Sequence, residues 1–201
     1  MLDVEVIDDP AAAVVALDPV RASLLAALAE PGSAATLAAQ VGLSRQKVNY
    51  HLRALERHGL VGLAEERRWG GLTERLLVAS AASYVVSPGA LGDAATDPAR
   101  SSDRLSARYL IALAARTVRE VGALARRAEA EDKRLATLGL DVEVRFASPA
   151  DRAAFAEGLA AAVTSLVTRY HDASTPGGRP HRVVVAAHPL PTGDPEPKED
   201  R

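Results

Sequence analysis

The stretch Gly42–Leu63, GLSRQKVNYHLRALERHGLVGL, decides how the chain is read. Ser44 can cap a helix, Val48, Leu52 and Leu55 follow at helical spacing, and Gly59 stands where such a helix stops. His51 falls beside Leu52 on that apolar face and is expected as a packed, hydrogen-bonded histidine rather than a base contact. The first turns of the other face hold Arg45, Gln46, Lys47, Asn49 and Tyr50, with Arg53 a turn further on. Core packing asks for none of these residue types. Arg pairs with guanine and Gln or Asn with adenine through two hydrogen bonds, each good pair discriminating by about 1–3 kcal/mol, so this face suits the edges of bases in a DNA major groove.

Working outward, two shorter helices are expected upstream. Asp18 is an N-cap with Pro19 at the first helical position, and Val20, Leu24, Leu25 and Leu28 share a face before Glu30-Pro31-Gly32 ends the helix. Ser33 caps the next helix, Ala34–Gln40, with Leu37 and Val41 inward, and Gly42 supplies the turn. Residues 1–17 read as an N-terminal arm, a short arm or strand followed by a helical turn. Downstream, Leu60–Ala79 has β-compatible flanks around Arg67-Arg68-Trp69-Gly70-Gly71, the pattern of a hairpin whose loop needs glycine, with Trp69 placed to pack it down. The order is helix, helix, helix, β-wing.

Residues 18–80 resemble the winged helix-turn-helix of ArsR/SmtB-type transcriptional regulators. The resemblance is carried by DPVRASLLAAL (18–28), by TLAAQVGLSRQKVNYHLRALERHGLV (36–61) and by the wing that follows. It implies a winged helix-turn-helix domain over 18–87, double-stranded DNA as partner, a homodimer on a palindromic operator and, most often, repression. Arg45, Gln46, Asn49 and Tyr50 would read bases, while Ser44, Lys47, Arg53 and, from the wing tip, Arg67 and Arg68 would hold phosphates. The net charge is −2, so no bulk positive field draws nucleic acid, and binding must come from a local patch. Between Arg45 and Arg75 seven Arg or Lys stand against four Glu, which supplies one.

Residues 88–103 form a linker rich in Gly, Ser, Pro and Asp, and 104–190 a helical dimerisation and α+β module. From Leu105 to about Leu138 a helical pattern places Leu110, Leu113, Thr117, Val121, Leu124 and Ala128 on a narrow seam, suited to a dimer surface or to packing within one protomer. Leu140–Phe146 alternates as a strand, Ser148 caps a helix with Phe155, Leu159, Val163, Leu166 and Tyr170 inward, and His181–Pro191 reads as a second strand. Phe146, Phe155, Leu159 and Val185 are enough for a small core. Residues 191–201 read as a disordered tail. The fold class is α+β. This module, with its closing AAHPLP, resembles an extension found on some ArsR-like regulators; it would complete a dimer or take a small apolar molecule between sheet and helix.

With no Cys, disulfides, thiolate metal sites and thiol chemistry are excluded. ArsR-type metal sensors use Cys on the second helix or Asp, His and Glu on a dimerisation helix; Ser33–Val41 offers no ligand, and no His occurs between Gly59 and Tyr170. His171, His181 and His188 read as surface or loop residues. No metal and no cofactor is expected, and a small-molecule effector stays open. Met1–Ile7 is acidic where a signal peptide is basic, and no apolar run approaches the ~20 residues of a membrane span, so a cytoplasmic protein without membrane contact is expected. No nucleophile motif, phosphate loop or carboxylate pair suggests an enzyme. A winged helix serving only protein contacts would carry apolar or acidic residues at 45, 46, 49 and 53.

Overall fold

Polar caps set where the helices begin. Asp9 and Asp18 open α1 (Pro10–Ala16) and α2 (Pro19–Ala27), and each carboxylate accepts from backbone N–H groups two or three residues ahead. Proline follows each cap, where its missing N–H costs nothing. Ser33 caps α3 (Ala34–Val41) and Ser44 caps α4 (Arg45–Arg57), through N–H···O bonds of 3.3 Å from Thr36 and Lys47. Gly42, at φ 66°, makes the turn between α3 and α4. These assignments come from a computed structural model that describes residues 2–69, 72–100, 103 and 105–191.

The chain divides into two compact units, Met1–Ala136 and Thr137–Arg201, and is α+β. In the first unit Leu24 of α2, Leu28 at its C-cap, Leu37 of α3 and Val48 and Leu55 of α4 are fully buried against one another. Against this core lies a three-stranded antiparallel sheet in the order β2 (Gly32–Ser33), β4 (Leu72–Ala79), β3 (Val61–Trp69). The hairpin β3–β4 is the expected wing, and its Gly70-Gly71 tip and the Trp69 side chain lie outside the described residues. Leu63 stands opposite Leu77 but Glu65 opposite Leu76, so Ala64 is an extra residue that bends the wing.

The expected arm is a strand and a helix. β1 (Leu2–Ile7) pairs in parallel with β5 (Ala81–Val86), and α1 buries Ala12 and Ala13 in the core. Across β1 lies α5 (Ala107–Ala130), with Ala112, Ala115 and Gly122 buried. Gly122 permits the close approach: a Cβ there would fall 2.5 Å from Val6 Cβ. Arg126 of α5 donates to the Val6 carbonyl and to Glu5 Oε1. The linker segment is partly ordered into 3₁₀ turns at Pro88–Ala94 and Pro98–Arg100.

α5 is shorter than its sequence pattern. It stops where Asp132 takes φ 48° and Lys133 N–H reaches back to the Ala128 carbonyl, a Schellman ending with aspartate in the place glycine usually takes. No single helix among the described residues is long and apolar enough to cross a membrane.

The second unit departs from expectation. Its regular element is α6 (Pro149–Tyr170), capped by Ser148, whose hydroxyl also donates to Asp151. The strands expected over 140–146 and 181–191 form no ladder. Alternation makes a segment amphipathic, but a strand also needs a neighbour for its N–H and C=O groups, and these segments have none among the described residues. The small core is absent too. Phe146 and Phe155 meet with ring centroids 5.3 Å apart, yet Phe155 is 42% exposed, Val185 49%, and Leu159 only half-buried.

Candidate nucleic-acid interface

α4 is divided along its length by the helical period. Val48 and Leu55 are wholly buried and Leu52 and Ala54 nearly so, which fixes the helix on α2 and α3 and leaves its other face outward. On that face Ser44, Arg45, Gln46, Lys47 and Arg53 are exposed, Asn49 is half-buried, and Tyr50 is 66% exposed. Arg45, Gln46, Asn49, Tyr50 and Arg53 line one open concavity. Four of these five are the residues singled out as base readers, and Arg53 borders them.

Tyr50 stands edge-on to His51, with ring centroids 5.4 Å apart. His51 is half-buried as expected, but its Nδ1 is buried without a hydrogen-bond partner, so the expected hydrogen bond is not formed at that atom. Ser44 spends an oxygen lone pair on the Lys47 N–H and keeps its hydroxyl hydrogen for an outside acceptor. Arg57 Nε donates to the Arg53 carbonyl, and the Arg53 side chain itself is exposed at the concavity.

On the wing, Arg67 forms a two-bond pair with Glu65, Nε to Oε1 at 3.0 Å and Nη2 to Oε2 at 2.9 Å. The pair holds the Glu65 carboxyl below its usual range and raises the Arg67 guanidinium. Both partners are half exposed, so the pair is worth little and can be exchanged for a phosphate. Arg68 is exposed, opposite Thr73.

One participant escaped the sequence reading. Arg75 of β4 pairs with Glu56 of α4, Nη1 to Oε2 at 3.2 Å with a second, shorter bond from Nη2 to Oε1, and approaches Glu66 at 4.0 Å. It braces the wing against the back of the outward-facing helix. The Arg75 hydrogen bonds hold the Glu56 carboxyl below its usual range. No local pattern links residues nineteen apart, so only the alternation of the wing could have hinted at the pair.

The expected dimer seam lies beside the packed stripe of α5. Leu110, Leu113, Thr117 and Ala128 are half-buried, whereas Val121 and Leu124 are 42% and 50% exposed. Thr117 turns its hydroxyl back to the Leu113 carbonyl. Among the described residues no three His, Asp or Glu converge closely enough to hold a metal ion.

A family model described as a helix-turn-helix domain matches residues 16–62, from the last residue of α1 to the second of β3. No curated protein matches the chain. The matched span contains α2, α3 and α4, so the fold and the match define one class, a helix-turn-helix domain of the kind that binds DNA in transcription regulation. That class points away from catalysis. All of the wing but its first two residues, α5 and the second unit lie beyond the match.

Proposed function

We propose that the chain is a sequence-specific transcriptional regulator of ArsR-like type, a homodimer that reads a palindromic operator in the cytoplasm and acts as a repressor. The observation that carries the reading is the division of α4, with a buried stem of Val48, Leu52 and Leu55 beneath an outward face of Arg45, Gln46, Asn49 and Tyr50. Arg45, Gln46, Asn49 and Tyr50 read bases; Ser44, Lys47, Arg53, Arg67 and Arg68 hold phosphates. The exposed apolar residues of α5, Ile111, Val121 and Leu124, support a dimer surface that continues the seam Leu110, Leu113, Thr117 and Ala128. A two-fold axis would set the recognition helices about 34–36 Å apart, one turn of DNA. A small apolar ligand in the second unit gains no support, because α6 buries no residue that could wall it in.

The test is selection of genomic DNA fragments by the purified full chain at two salt concentrations, beside an Arg45→Ala/Asn49→Ala variant. The expected result is an inverted repeat that the variant binds about 10²-fold more weakly, the loss of two paired contacts. Equal enrichment by both proteins, or none by either, overturns the reading.

A further inference from the structure

No described residue of the second unit is buried, and only Phe146, Ser148, Leu159 and Val163 are half-buried. A unit this small must cover its apolar surface to offset the entropy it loses on ordering. Phe155, Leu159 and Val163 follow one another along α6 a turn at a time, and Phe155 meets Phe146, so one end of the apolar face of 140–146 turns towards this stripe. The other end is bare: Val142 is 82% and Leu140 87% exposed, and the backbone of 140–146 bonds no described residue. Twelve large apolar side chains of the unit stand exposed. At roughly 100 Å² of apolar surface for each when wholly exposed, they offer on the order of 700 Å² per copy, close to the about 800 Å² that each partner gives to a standard interface.

We infer that a second copy of this chain covers that surface, with residues 140–146 of the two copies paired as antiparallel strands about a two-fold axis at Val144. The charges select the register. Centring the pair on Val142 sets Asp141 opposite Glu143, and centring it on Glu143 or on Arg145 sets that residue opposite itself, all of them like charges face to face. With Val144 on the axis, Glu143 of each copy faces Arg145 of the other, twice over. In the same register Val142 packs on the other copy's Phe146 and Val144 on its own mate. These apolar pairs fall on the face that α6 already approaches through Phe155.

The segment is thus its own charge complement, which is the argument for a second copy over a foreign partner. Pairing also supplies the neighbour that its N–H and C=O groups lack, so the strand specified by the alternation forms only between copies. The contact lies wholly within the second unit. It requires neither α5 nor DNA and stands apart from the regulator reading above.

The chain has no Cys, so a single introduced cysteine reports on the axis. Under mild oxidation of the full chain, Val144→Cys should link two copies, because residues facing each other across antiparallel strands stand about 4.5–5.5 Å apart at Cα. Val142→Cys should not, since its two copies would lie four residues apart along the pair, about 14 Å, where a disulfide needs about 7 Å or less. In the Val144→Cys background, Glu143→Arg and Arg145→Glu should each slow linkage about tenfold by setting like charges opposite at two places. The two variants mixed should link to each other at the unmodified rate, as identified by mass, because each supplies the charge the other lacks. Linkage at Val142 as fast as at Val144, single reversals that link as fast as their parent, or no rescue on mixing overturns the pairing. Absence of any linkage overturns it too, and leaves the surface to another segment of the chain or to another protein.

Discussion

Asn49 and Arg45 perform no duty in the fold that their neighbours do not already perform. Both sit on the outward face of a helix held from behind, so replacing either by alanine should change stability by no more than about 0.5 kcal/mol. The consequences for DNA should separate by residue: Arg45→Ala should flatten base preference at one position, while Lys47→Ala should weaken all sequences alike and lower the salt slope by about one. Binding isotherms on the operator and on single-base variants at several salt concentrations measure both effects. Equal loss of specificity from the two variants would contradict the division between readers and phosphate contacts. At this scale the sequence was most legible. The caps Asp18, Ser33, Ser44 and Ser148 are local chemistry, and each begins a helix where its side chain implied. Asp132 was not legible, because an aspartate at positive φ has no signature to match a glycine's.

Between elements, the Glu56–Arg75 brace has a pH dependence. Because hydrogen bonding in the folded state lowers the Glu56 pKa, its contribution is complete above the unfolded value of about 4.3 and is lost as pH falls through the folded one. Both side chains are more than a third or nearly a third exposed, so the contribution is about 0.2–1 kcal/mol and weakens with salt. Arg75→Met should remove it above pH 5 and change nothing once Glu56 is protonated; urea unfolding at both ends of that range checks it. The helices of the reading domain were legible because their periodicity is strong and their stops are chemical. β2 was not, since two residues carry no pattern and become a strand only by meeting Leu76 and Leu77. The C-terminal alternation misled for the related reason that it specifies two faces and names no partner.

For the whole molecule, a net charge of −2 makes the phosphate contacts countable, because no diffuse positive field adds to them. The proposed contacts Lys47, Arg53, Arg67 and Arg68 would be four per copy, so the plot of log affinity against log salt should have a slope of about −7 for a dimer and about −4 for one copy. Analytical ultracentrifugation of the complex fixes the copy number independently. A slope near −4 from a complex that contains two copies would leave the wing arginines without a role. The parallel pairing of β1 with β5 carries a consequence for synthesis: β1 has no neighbour until residues 81–86 have been made, and α5, which rests on it, arrives later still. β1 thus waits unpaired while the helices and the wing behind it are made, and is secured only when β5 pairs with it and α5 closes over it.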